Sequence, residues 1–168
     1  MSRVVIADAG PLIGLARIEA LLLLRDLYGS VCVTREVREE ILPAGSLFPD
    51  AIILSAALAE GWIEVVDAPG ADWQLLNPGV DPGEASAIRL ACHWRDAGGA
   101  VLLVMDDRAG RLEARSRGLS LIGTAALIGL AKTQGLIPAA GPLLEKLTQA
   151  GYYLGKSVIE EVLAAAGE

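Results

Sequence analysis

Aromatic residues are scarce in this 168-residue chain, which has three Trp, three Tyr and one Phe. A core with so few rings is built from Leu, Ile, Val and Ala, and that favours layered α/β or all-α packing over a sandwich of sheets. Cysteine is nearly absent as well. Cys32 and Cys92 lie in apolar surroundings, form no CxxC pair and are too few for a disulfide framework, so they read as reduced core thiols. The one histidine, His93, is flanked by Cys92 and Trp94 with no motif around it. A Ser/His/Asp or Cys/His hydrolase would have to use it, and it reads as structural. No apolar run is long enough to span a bilayer. Met1-Ser2-Arg3 leads straight into an apolar strand rather than a secretory leader, so a cytoplasmic location is the expectation. No G-x-G-x-x-G follows a strand, which disfavours dinucleotide binding. Positive charge is in deficit: 14 Lys and Arg face 21 Asp and Glu, a net charge of −7. A protein that coats nucleic acid through its overall field is normally basic. The imbalance leaves room for a local basic patch, and for an acidic site that a cation fills.

What is present is a repeated alternation of short apolar runs with helical patterns. Val4–Ala7 reads as a buried strand ended by Asp8 and Gly10-Pro11. Residues 12–28 read as helix broken near 17–19, and 31–33 as a strand. Thr34 reads as the N-cap of a helix over 35–42. A helix over 50–60 and a strand over 62–66 follow. Residues 67–80 are rich in Pro, Gly and Asn and read as a loop. Asp81-Pro82-Gly83-Glu84 opens a helix running to about Asp96, ahead of the strongest strand, 100–105. Helix 107–117, strand 119–122, a helix over 124–134 that is apolar nearly all round and two further helices at 141–150 and 156–166 complete the chain. The pattern predicts one α/β domain over 1–168: a central, mostly parallel sheet with helices on both faces in 1–137, and a helical tail over 138–168.

In open α/β sheets, ligands bind beyond the carboxyl ends of the strands. Asp8 is the first residue after the first strand, and Asp106 and Asp107 follow the 100–105 strand. If those strands are neighbours, the three acids share one edge. In the 35–42 helix the apolar stripe runs through Val37 and Ile41, and Glu40 falls beside it, while Glu36 and Glu39 point away. Glu84 shares a face with Ile88 and Ala91. Each acid also has a purely structural explanation. Asp81 and Glu84 have capping-box spacing, Asp107 can cap the helix after it, and Asp8 can end a strand in an Asx turn. The catalytic reading rests on all of them mapping to one edge.

These segments carry a family resemblance. Val4-Val-Ile-Ala-Asp-Ala-Gly-Pro-Leu-Ile13 resembles the opening strand and first acid of PIN domains, closest to an uncharacterised, toxin-like branch. Val33–Ile41 resembles the segment of the second acid, at Glu40. Asp81–Ile88 resembles that of the third, at Glu84, and Val101–Arg111 that of the fourth. Gly123-Thr124, Ala131-Lys132 and Gly135-Leu-Ile137 follow in the family's order. Two positions depart from it. Gly10 stands where many relatives carry Ser or Thr two residues after the first acid. Met105-Asp106-Asp107 replaces a Thr-x-Asp pattern, so Asp107 takes the usual acid's place and Asp106 is an extra one.

The resemblance implies a Mg²⁺- or Mn²⁺-dependent ribonuclease, often the toxin of a toxin–antitoxin pair and often a homodimer. Hard divalent ions activate water and stabilise phosphate charge through oxygen ligands. The implied ligands are Asp8, Glu84 and Asp107, with Asp106 auxiliary. Glu40 would hold a second ion or orient the attacking water. Arg108, Arg111 and Arg115 recur at helical spacing beside the acid pair and offer a basic rail for RNA, Arg108 and Arg111 foremost. Glu113 and Arg117 read as an ordinary i,i+4 pair on the same helix. Trp62, Trp73 and Trp94 read as core or loop anchors. The all-apolar 124–131 helix or the C-terminal helices would supply a dimer contact. Two other classes remain: an inactive PIN-like module that binds RNA or a partner protein, and a phospho-receiver-like domain. The second wants a lysine after a late strand, where this chain has Gly123-Thr124.

Overall fold

The structure, a computed structural model, describes residues 3–70 and 72–168. Its centre is an all-parallel sheet of five strands: β1 (Val4–Ala7), β2 (Val31–Thr34), β3 (Ile63–Val66), β4 (Val101–Val104) and β5 (Ser120–Ile122), in the order β3-β2-β1-β4-β5. The chain begins in the middle of the sheet, winds outward through β2 and β3, then crosses back to β4 and β5. That crossover makes β1 and β4 neighbours, paired from Val4↔Val101 to Ala7↔Val104.

The strands read as unbroken apolar runs because both faces are covered. Alternate side chains enter opposite cores. Val5, Ala7, Val31, Val33, Leu102 and Val104 face one, while Ile6, Leu103 and Met105 face the other. The first core is closed by α1 (Ala9–Arg17), α2 (Leu22–Tyr28), α3 (Arg35–Ile41), α4 (Pro49–Glu60) and α7 (Thr124–Thr133). α8 (Gly141–Gln149) and α9 (Lys156–Ala165) cover α7 in turn. The second core lies under α5 (Pro82–Asp96) and α6 (Arg108–Ser116). This is the three-layer α/β/α arrangement expected from the alternation of elements. No helix among the described residues is long and apolar enough to cross a membrane.

The local punctuation follows from the residues. Glu19 adopts a positive φ of 59°, which an L-residue takes at a cost, and it breaks the 12–28 pattern into α1 and α2. Gly61 closes α4 in the left-handed conformation at φ 84°. α1 starts at Ala9, earlier than the apolar pattern suggests, because Asp8 occupies its N-cap and Pro11 is harmless in the first turn.

Two expectations are corrected. The i,i+4 pair of Glu113 and Arg117 is a buried clasp rather than a solvated surface pair. Glu113 is 1% exposed and accepts from Leu76 N at 2.6 Å, while Arg117 donates to Gln74 O and lies 3.4 Å over the Trp73 ring. It pins the loop after β3 to α6. Trp94 is exposed, unlike Trp62 and Trp73, since it lies on the outer face of α5. α7, read as apolar nearly all round, is largely buried: Leu127 and Ile128 are fully buried, and α8 and α9 pack over the helix. Each such side chain contributes roughly 1.5–3 kcal/mol.

The α7–α9 contact depends on Gly129, where a Cβ would stand 2.8 Å from Val162 Cγ1. Gly129→Val is expected to destabilise the protein by about 1–3 kcal/mol through overpacking. Chemical denaturation measures the loss, and hydrogen exchange should show it concentrated in 156–165.

Candidate active site

Parallel pairing of β1 with β4 brings the ends of both strands to one edge, and the ladder continues into the acids, with Asp8 N donating to Val104 O at 2.9 Å. Asp8 then turns the chain into α1 as its N-cap and is 5% exposed. Asp107 caps α6, accepting from Gly110 N at 3.1 Å through one carboxylate oxygen.

Glu84 arrives from the opposite layer. It is the third residue of α5, and both arms of the capping box are made: Glu84 N donates to Asp81 Oδ1 at 2.8 Å, and Asp81 N donates to Glu84 Oε2 at 3.0 Å. Capping and placement at the acid edge are therefore one geometry, since the reciprocal bonds hold the carboxyl of Glu84, a residue 6% exposed, at the start of the helix. Gly110 leaves room for it, because a Cβ there would lie 3.4 Å from Glu84 Cδ and 2.6 Å from Met105 Sδ.

Glu40 is placed by a relay between α3 and α5. Thr34 Oγ1 caps α3 by accepting from Val37 N. It lies 2.6 Å from Ser86 Oγ, which itself donates to Gly83 O at 2.7 Å. The one hydroxyl proton of Ser86 goes to Gly83, so Thr34 donates to Ser86. This docks α3 against the first turn of α5, where a Glu40 carboxyl oxygen fills the space a side chain at Gly83 would take. Contrary to the inward-facing expectation, Glu40 is exposed. Its carboxyl reaches the rim of the site past Gly83 instead of entering the core with Val37 and Ile41.

The electrostatics tie these groups together. Burial, partly offset by the Ala9 N–H and reinforced by Glu84, Asp81 and Glu40, pushes Asp8 up to about 7. Burial likewise raises Glu84 to about 7; its bond from Asp81 N opposes the shift, and Asp81, Asp107 and Glu40 add to it. Glu40 is raised by desolvation and then by Asp81. Asp8, Glu40, Glu84 and Asp107 thus belong to one coupled group. Asp81, read from sequence only as a cap, belongs to it as well, and its position on the same first turn as Glu84 was the available signal.

Asp106 stands apart. Both its oxygens are engaged by Thr124, from the backbone N at 2.7 Å and the hydroxyl at 2.5 Å, so it anchors the start of α7. Arg111 is half-buried and donates to Met105 O at 2.8 Å through one of its nitrogens, whereas Arg108 and Arg115 are exposed on α6. His93 is exposed on α5 and distant from this chemistry in its contacts, which are with Trp94.

The donor set is all oxygen and carries unneutralised charge, the chemistry that a hard dication fits. As the side chains stand, no three acid, His or Cys groups among the described residues are close enough together to hold an ion. Glu40 and Asp107 sit exposed at the rim, and Glu84 keeps Oε1 outside its capping bond. A family model described as a PIN domain matches residues 4–168. No curated protein matches the chain.

The raised carboxyls give a signed pH dependence. A carboxyl whose folded pKa exceeds its unfolded value costs stability as pH rises from the unfolded value, 3.8 for Asp8 and 4.5 for Glu84, to about 7. Chelator-treated protein is expected to melt lower at pH 8 than at pH 5. Asp8→Asn should raise Tm at pH 8 by about 5 °C or more and leave pH 4 nearly unchanged. A wild-type Tm that rises between pH 5 and pH 8 would contradict the placement of these groups.

Proposed function

Because the chain belongs to the PIN-domain family, a nuclease-type fold, we propose that it is a Mg²⁺- or Mn²⁺-dependent endoribonuclease acting at the edge where β1, β4, α3 and α5 meet. The observation that carries this reading is the coupled burial of Asp8 and Glu84, two carboxyls raised to about 7 with no cation of the protein's own among the causes that shift them. Evolution of such a pair for stability alone is hard to justify, since burying unpaired charge is costly.

Asp8, Glu84 and Asp107 would hold the ion. When bound, it supplies charge neutralisation at the phosphate and a water of lowered pKa. The other roles belong to the chain itself. Glu40, raised and solvent-accessible at the rim, takes a proton from the attacking water or holds a second ion. Asp81 orients Glu84 through the capping box. Asp106 is the auxiliary acid and, through Thr124, fixes α7 beside the site. Arg108 and Arg111 meet the RNA backbone, giving local positive charge in a chain of net charge −7. The working unit is the whole of 1–168, in the cytoplasm. The likeness to the toxin-like branch adds a small antitoxin protein, encoded beside this chain, and a homodimer as partners.

A second reading, a catalytically inactive module that binds RNA or protein, is favoured by two observations: Gly10 carries no hydroxyl, and the described acids do not close on an ion as they stand.

One experiment separates the readings. Purified protein incubated with single-stranded RNAs is expected to cut them in Mn²⁺ and not in chelator. Mn²⁺ should also raise Tm by several degrees through preferential binding to the folded state. Asp8→Asn is expected to lower cleavage by about 10²-fold or more and to remove the thermal gain. RNA binding without cleavage, or a thermal gain that survives Asp8→Asn, would establish the inactive module instead.

A further inference from the structure

Glu40 is held differently from the other acids of the edge. Asp107 and Glu84 each accept a bond from a backbone amide, Gly110 N and Asp81 N. Among the described residues no donor acts on the Glu40 carboxyl, which feels only burial and the charge of Asp81. Its support is also short. α3 has seven residues, a length at which an isolated helix does not hold together in water. Whatever fixes α3 therefore aims Glu40.

Val37 and Ile41 seat α3 on the core, but apolar contact is non-directional. The directional contact is the pair of Thr34 and Ser86 hydroxyls, 2.6 Å apart, which runs from the Val37 amide on α3 to the Gly83 carbonyl on α5. Both ends of that chain are backbone atoms, so it ties one helix to the other. Ser86 stands between Ala85 and Ala87 and is 1% exposed. Alanine would suit a buried helical position better by propensity and would leave no hydroxyl to satisfy. The hydroxyl is what this position adds. One turn earlier, a Cβ on Gly83 would fall on Glu40 Oε1 and stand 3.0 Å from its Cδ. A hydroxyl present at 86 and a side chain absent at 83 thus bear on one carboxyl. Glu84 needs neither, because its capping box closes within the first turn of α5.

We propose that Ser86 is a positioning residue that, through Thr34, sets where Glu40 stands relative to Glu84, while Gly83 keeps that place open. The inference rests on the nuclease reading above and adds to it two residues that touch neither substrate nor ion.

The test uses the full chain with ¹³C-labelled carboxyls, Mn²⁺ as a paramagnetic probe, and cleavage of single-stranded RNA. In the wild type, Mn²⁺ is expected to broaden the carboxyl signals of both Glu40 and Glu84. Ser86→Ala should keep the broadening of Glu84, reduce that of Glu40, and lower kcat by about ten-fold or more with KM little changed. Gly83→Ala leaves the relay intact and should do the same by displacing Glu40 directly. Thr34→Ser, which retains the hydroxyl, should restore both readouts. On a Glu40→Gln background, Ser86→Ala should cost nothing further. If Ser86→Ala leaves Glu40 broadening and kcat as in the wild type, weakens Glu40 and Glu84 alike, or adds to the loss of Glu40→Gln, the positioning role is wrong and the nuclease reading stands. If the wild type cuts no RNA yet Ser86→Ala selectively releases Glu40 from Mn²⁺, the positioning role holds in an inactive module. If Mn²⁺ broadens neither carboxyl in the wild type, the nuclease reading has failed and the positioning role with it.

Discussion

Two carboxyls, Asp8 and Glu84, are kept out of water at the carboxyl end of the sheet, and the site is organised around that unfavourable burial. β1 and β4 pair in parallel so that the first strand ends at Asp8 under the cover of α5. The first turn of α5 then delivers Glu84 from the opposite layer through a capping box whose other half, Asp81, adds to the negative charge. Neighbouring side chains repel these two groups more than they neutralise them. Any bound cation would therefore do two things at once, relieving a cost in the folded state and creating reactive chemistry.

The same parts serve fold and site, and that sharing accounts for several small residues. Gly83 and Gly110 leave room for the carboxyls of Glu40 and Glu84. The Thr34–Ser86 relay is buried and polar, yet all its donors are used, so it fixes α3 on α5 without leaving an unmet group. Asp106, by contrast, shows how an acid in a functional neighbourhood can be structural first. Its two bonds to Thr124 set where α7 begins.

Strand and helix order was readable in the chain because each strand is a short apolar run bounded by turn residues, and three of the helices carry a side-chain cap. Thr34, Asp81 and Asp107 all cap the helices that their spacing indicates. The convergence of Asp8 with Asp107 was readable once β1 and β4 were taken as neighbours. Other features were not readable, because they depend on distances between layers. Helical periodicity put Glu40 beside the apolar stripe, but the stripe is narrow and the side chain escapes along the surface of α5. The Glu113–Arg117 spacing looked like a surface pair, and only the path of the loop after β3 buries it. Asp81 was visible as a cap, yet its effect on Asp8 depends on a packing that no local pattern encodes.

The account depends on Asp8 and Glu84 being protonated near neutrality until a cation arrives. The direct measurement is a ¹³C carboxyl NMR titration of the chelator-treated protein, repeated with Mg²⁺. The account predicts that Asp8 titrates at about 7 without metal and well below that once Mg²⁺ is added. A titration near the ordinary carboxylate value of about 4, unmoved by Mg²⁺, would contradict it.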